Sequence, residues 1–242
     1  MFDVIGKINI WGDSVLKGVI FDELRNRYTT LEDDSASLVS KDLGLEIKNN
    51  ARFGLTAPKA EKLLLAALEK GVDCQTAIIE LGGNDSDFNW AKVAEDPDMN
   101  HLPNTTLDVF KTSITNMVNA LRKHNIVPIL VDLPPIDAEK YFAWIVKNGL
   151  DKDKILNWLG DVQRIYRYHE CYSLAVTKLA RTLNCHFIDI REAFLLEVNY
   201  SRLLCVDGIH PNSEGHKLMN KVFSNYYQTY IKAGGLKDLS LT

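Results

Sequence analysis

An apolar run, Ile8-Asn9-Ile10-Trp11, stops abruptly at Gly12-Asp13-Ser14, and Gly18 follows four residues later. A buried strand that ends in a small acid and a hydroxyl, with an amphipathic segment behind it, reads as strand, tight turn and helix. The spacing of Leu16, Ile20, Leu24 and Tyr28 predicts that helix over residues 15–30. In an open α/β sheet, ligands bind outside the carboxyl ends of the strands, so Ser14 falls where chemistry is usually done. The segment by itself fits two readings. Ser14 caps a helix, as serine commonly does, or it presents its hydroxyl to a ligand.

The same pattern recurs along the chain. Glu46–Asn50 reads as a second strand, followed by Gly54, a cap at Thr56 and a helix over 57–70 that ends at Gly71. Thr76-Ala77-Ile78-Ile79-Glu80-Leu81 has the near-continuous apolar character of a strand covered on both faces. It stops at Gly82-Gly83-Asn84-Asp85. A helix over 105–125, a strand over 127–133 stopped by Pro134-Pro135, a helix over 164–184, a strand over 185–190 and a helix over 213–232 complete the alternation. Residues 29–42 and 86–104 read as polar connections. Residues 136–163 are too long for an ordinary strand–helix link and carry Tyr141, Trp144 and Trp158. Alternating strands and helices without an internal repeat predict one doubly wound domain over 1–242, with a mainly parallel sheet and a pocket-forming insertion at about 136–163.

Composition narrows the function. At 242 residues and 46% hydrophobic the chain can bury a large core. A net charge of −4 gives no global field for nucleic acid or anionic membrane. No segment approaches the ~20 apolar residues of a membrane span. The start, Met1 to Lys7, lacks a basic region and an apolar core, so the expected location is cytoplasmic. The four cysteines, Cys74, Cys171, Cys185 and Cys205, have no metal-ligand spacing and read as buried small hydrophobes. No G-x-G-x-x-G or Walker A motif appears, and no cofactor or metal is expected.

Placed on that fold, Ser14, Gly54, Asn84 and the Asp207/His210 pair share one edge of the sheet. A serine hydroxyl needs a base to become a nucleophile, and an imidazole titrates in the right range. Asp207, three residues before His210, can fix the ring's tautomer and stabilise its cation. The Ser14 and Gly54 N–H groups and the Asn84 amide can face an oxyanion. Asp13 reads as a hydrogen-bonding residue of the turn. Each residue also has a plain role as a cap, turn or surface residue.

Gly12-Asp13-Ser14-x-x-x-Gly18, Asn49…Gly54-x-Thr56, Gly82-Gly83-Asn84-Asp85 and Asp207-x-x-His210-Pro211 together resemble the four blocks of the SGNH hydrolases, or GDSL esterase/lipase family. The resemblance implies a flavodoxin-like three-layer α/β/α sandwich and an acyl-enzyme mechanism without a metal. It further implies Ser14 as nucleophile, His210 as acid and base, Asp207 as orienter, and Ser14, Gly54 and Asn84 as oxyanion donors. Val15 stands where the family has leucine. The G-x-S-x-G elbow of α/β-hydrolases is absent. The expected substrate is a small short-acyl ester, including acetylated sugars. Lysophospholipase or thioesterase activity and a non-catalytic binding module are the alternatives. Tyr141, Trp144, Trp158 and Trp90 are the candidate pocket walls, with oligomeric state left open.

Overall fold

The computed structural model describes residues 6–231, so the first five residues and the end of the helix expected to reach 232 lie outside it. Five strands form the central sheet: β1 (Lys7–Gly12), β4 (Glu46–Asn49), β5 (Thr76–Glu80), β6 (Val127–Val131) and β7 (His186–Ile188). Their order is β4-β1-β5-β6-β7 and every pairing is parallel. The order reverses at β1 and β5, which places the switch point between the exits of those two strands.

Alternation of side chains builds the two outer layers. Trp11, Ala77, Ile79 and Leu130 face one side, where α2 (Ala57–Glu69), α5 (Leu107–Lys123) and α8 (Gln163–Thr182) bring Leu64, Met117, Leu121 and Tyr172 against them. Ile8, Ile10, Ile78, Ile129 and Val131 face the other, packed by α1 (Ser35–Leu43), α9 (Arg191–Leu195) and α10 (Ser213–Tyr226) through Val39, Phe194, Met219 and Phe223. The sequence reading of an α/β/α sandwich is therefore right.

The main correction falls directly after Ser14. Residues 15–30 are not a helix. Lys17 donates to Asp13 O (3.1 Å) and Val19 to Ser14 O (3.0 Å), which closes one turn. The chain then forms an antiparallel hairpin of β2 (Val19–Asp22) and β3 (Arg27–Thr30). The four-residue spacing that suggests a helix is coincidental: Leu24 is 99% exposed at the hairpin tip. The strands are built from Val-Ile-Phe and Tyr-Thr-Thr, residues that suit a pleated surface. Asn26 takes φ 47° at the tip, and Asp22 accepts the Arg25 N–H.

Three expected loops contain helices. Asp34 caps α1 through the N–H groups of Ala36 and Ser37. The connection over 86–104 holds the last residue of α3 (Gly83–Ser86) and α4 (Trp90–Glu95). The 136–163 segment is two helices, α6 (Ala138–Val146) and α7 (Lys152–Leu159), each capped by an aspartate, Asp137 and Asp151. They share a third apolar cluster, including Phe142, Ile145, Ile155 and Leu159, with Phe88, Trp90 and Val93. Thr56 sits at the cap position of α2 but makes no side-chain bond there. The buried Asp85 carboxylate accepts the Ala57 N–H instead, at 2.9 and 3.1 Å. Of the cysteines, Cys185 and Cys205 are buried and Cys74 is half-buried. Cys171 is exposed, against expectation, because it lies on the outer face of α8.

Candidate active site

The sheet's carboxyl edge gathers the residues. Ser14 leaves β1. Asn84 leaves β5 on α3 (Gly83–Ser86). Asp207 and His210 lie on the loop before α10. That loop is pinned at its base by a Leu204–Pro211 bridge and by Cys205 N–H to His210 O (2.8 Å). Asn212 caps α10 and ties back to Arg202 O and Leu204 O.

His210 Nε2 lies 2.9 Å from Ser14 Oγ, and His210 Nδ1 lies 2.6 Å from Asp207 Oδ2. The network fits the tautomer with the proton on Nδ1 and Nε2 free to accept from the serine. All three side chains are buried. Asp207 Oδ1 accepts the backbone N–H groups of Ile209 (3.1 Å) and His210 (3.2 Å). Burial pushes the Asp207 carboxyl upward. The bond from His210, its charge and the two amides outweigh burial and hold it below the ordinary carboxylate value. The hairpin adds a donor absent from the sequence reading: Tyr28 Oη donates to Asp207 Oδ2 at 3.1 Å, and its ring stands edge-on to His210.

The Asp13 carboxylate braces both sides of the switch point. It accepts the Val15 N–H (2.9 Å) and one N–H of the Asn84 amide (3.1 Å). The other Asn84 N–H has no partner among the described residues. Asn49 holds the same turn from below, donating to Leu16 O at 2.7 Å. Gly83 packs closely on this carboxylate: a Cβ there would meet Asp13 Oδ2 at 3.2 Å, so Asp13 would have to give by a few tenths of an ångström. Glu80, fully buried under this turn, has no side-chain hydrogen-bond partner on either carboxyl oxygen among the described residues. Burial first, then the neighbouring Asp13 charge, push it well above the carboxylate range.

A cavity of about 420 Å³ opens over Ser14, a volume suited to a small ligand. Tyr141, Trp144 and Trp90 are in its wall, and the insertion adds Ile136 and Ile145. Trp158 is not. It packs behind the wall, edge-on to Phe88 with Arg164 over its ring, within the insertion's own core. Tyr141 Oη donates to Asp87 Oδ2 and Trp90 Nε1 to Asp87 Oδ1, both at 2.8 Å, so these rings are rigidly held. Gly54 takes φ 68° and is one residue removed from the wall, where Phe53 stacks on His210. The N–H groups of Ser14 and Gly54 form no hydrogen bond among the described residues. Among the same residues no three His, Cys, Asp or Glu side chains cluster as a metal site requires, and no helix is long and apolar enough to cross a membrane.

A switch-point serine within hydrogen-bond distance of a histidine–aspartate pair, on a parallel α/β/α sandwich, is an arrangement with the parts that acyl transfer requires. Residues 10–218 match the GDSL-like lipase/acylhydrolase family, and the chain belongs to it. It is a carboxylic ester hydrolase by that membership. An isoamyl acetate-hydrolyzing esterase of Saccharomyces cerevisiae is 26% identical over 191 residues, covering 77% of this chain and 72% of that protein. Two solved structures share the fold. A lipase/acylhydrolase from Enterococcus faecalis has a TM-score of 0.63 at 18% identity, over 93% of this chain and 96% of its own. A carbohydrate acetylesterase family member from Sinorhizobium meliloti has a TM-score of 0.64 at 18% identity, over 93% and 98%.

Proposed function

We propose that the chain cleaves short-acyl carboxylic esters with Ser14 as nucleophile. The observation that carries this reading is the unbroken line from Ser14 Oγ and His210, in the cavity lining, to Asp207 buried behind them. Ser14 Oγ attacks the ester carbonyl carbon while its proton passes to His210 Nε2. The ionised Asp207 carboxylate stabilises the imidazolium through Nδ1. Negative charge develops on the carbonyl oxygen and is stabilised by the free N–H groups of Ser14 and Asn84, with the free N–H of Gly54, next to the wall residue Phe53, as the third donor. The tetrahedral centre collapses, the C–O bond to the alcohol breaks, and His210 returns the proton to the leaving oxygen. A water molecule, deprotonated by His210, then releases the acid from acyl-Ser14.

The short-acyl assignment is supported by a cavity of small-ligand size whose aromatic walls are fixed by Asp87. The acetate-cleaving relative is consistent with it. A fluorophosphonate probe is expected to label the wild-type protein and to leave Ser14→Ala unlabelled, with ester turnover falling roughly a thousandfold or more. Labelling of Ser14→Ala would remove Ser14 from the role. Rates on p-nitrophenyl esters are expected to drop steeply as the acyl chain lengthens. A rise with length would instead assign long-chain acyl substrates.

A further inference from the structure

His169 lies on α8, one turn beyond Ile165 and one turn before Ser173, whose Oγ accepts the Leu133 N–H at 3.4 Å. Ile165, Leu133 and His169 all line the cavity over Ser14. The imidazole is 6% exposed, and neither ring nitrogen hydrogen-bonds to the protein among the described residues. Only Nδ1 is fully sealed off. Buried polar groups are nearly always paired, and an orphan costs about 1–3 kcal/mol. Asp87 is satisfied by Trp90 and Tyr141, and Ser86 by Gly83 O. Glu80 also lines the cavity unpaired, but under the Ser14 turn; His169 is the unpaired group of the α8 wall, beside Ile165 and Leu133.

Its protonation state defines what it can recognise. Burial, with the Arg191 charge behind it, lowers its pKa to about 3. The ring is therefore neutral near pH 7, and its Nε2, the nitrogen that is not sealed off, meets a ligand as donor or acceptor according to the tautomer. Arg191 itself is engaged by Glu170 and by Leu133 O (3.0 Å). Nothing at this point of the wall pairs with an anion, and a neutral oxygen fits.

We propose that His169 forms a polar subsite for a neutral oxygen, a hydroxyl above all, carried by the substrate beyond its reacting ester. The preferred substrates are then short-acyl monoesters of diols and polyols rather than of plain alkanols. This rests on Ser14 as the ester-cleaving nucleophile and names the alcohol half that the site selects.

The test compares ω-hydroxyalkyl acetates, from two to about six carbons, with the alkyl acetates that carry a methyl group in place of the terminal hydroxyl. In an apolar pocket without a subsite the alkyl ester wins at every length. With the subsite, one chain length gives kcat/KM about tenfold or more in favour of the hydroxyl ester, the contribution of one hydrogen bond. In His169→Phe that ratio is expected to fall to unity or below, and in His169→Gln, which keeps a donor and an acceptor, to survive in part. The ratio is independent of how much protein folds. Alkyl esters equal or faster at every length, or an unchanged ratio in His169→Phe, would overturn the proposal. Ligand-detected NMR with α,ω-diols reads the subsite without turnover. Saturation transfer to one diol is expected with wild type and lost in His169→Phe, and its persistence in the variant overturns the subsite. If no acetate is turned over while diol binding still depends on His169, it is the Ser14 reading that fails.

Discussion

At Asn84 one amide has two roles at once. Its bond to Asp13 fixes the side chain beside Ser14, and its second N–H faces the cavity. Asp13 is fully enclosed. Burial raises its pKa, against the opposing pull of Val15 N–H, His210 and Asn84. Removing the amide therefore has two separable consequences. Asn84→Ala is expected to lose roughly 2.7–4 kcal/mol of transition-state stabilisation, the cost of one oxyanion donor. That loss belongs in kcat, with KM little changed, because the ground-state carbonyl makes the weaker bond. Asp13 also loses a donor, so the melting temperature is expected to drop modestly. Steady-state kinetics beside a thermal melt separate the two effects, and a kcat within threefold of wild type would take Asn84 out of the oxyanion hole.

Elements carry the next level of control, and the Asp207–His210 loop depends on its seat against α6. Gly208 has φ 73°, and a Cβ there would meet Asp137 O and Lys140 Cβ at 2.7 Å and Tyr141 N at 2.8 Å. Gly208 O in turn accepts the Asp137 N–H at 2.8 Å. Gly208→Ala is expected to destabilise the fold by about 1–3 kcal/mol through the left-handed backbone and the contact. It should also shift His210 off Ser14, so that kcat falls more than stability accounts for. A variant with lowered melting temperature but wild-type kcat would separate the loop from α6. This seat also marks the limit of what the sequence discloses. β1, β5 and β6 are readable because buried strands have local apolar runs and end in turn residues; Ser14 and Asn84 sit just past two of those ends, and Asp207 and His210 lie on the turn-rich loop before α10. The hairpin after Ser14 is not readable, since Leu16, Ile20, Leu24 and Tyr28 satisfy helical spacing while β2 and β3 are decided by their pairing with each other. With it went Tyr28 as a donor to Asp207. The insertion's helices hide likewise: their aromatic residues read as wall or as core, and only tertiary packing sends Tyr141 and Trp144 inward and Trp158 behind.

Across the whole molecule, the enclosed titratable groups couple folding to pH. His216 joins α10 to α1, its Nδ1 accepting the Ser35 N–H at 3.3 Å, and it is fully buried. Burial lowers its pKa from 6.5 to about 4; the nearby Asp34 raises it and His210 lowers it further. Between those two values the unfolded chain binds a proton there and the folded chain does not. Stability due to His216 is thus fully present above pH 6.5 and is lost as pH falls toward 4. His169 acts in the same sense over a wider window, down to about pH 3. Asp85 acts in the opposite sense. Its pKa is raised by burial to about 6, so the folded state keeps a proton that the unfolded chain releases above 3.8. The raw curve sums these groups, and the difference between two proteins isolates one. His216→Asn keeps an acceptor for the Ser35 N–H and removes the titration. The variant is expected to be less stable than wild type at pH 7.5, from lost packing, and to lose less stability on acidification. The gap between the two urea-unfolding free energies should narrow from pH 6.5 to 4 by on the order of 3 kcal/mol at most. Parallel curves across that window would mean that His216 does not enter the folded state as a neutral, buried ring.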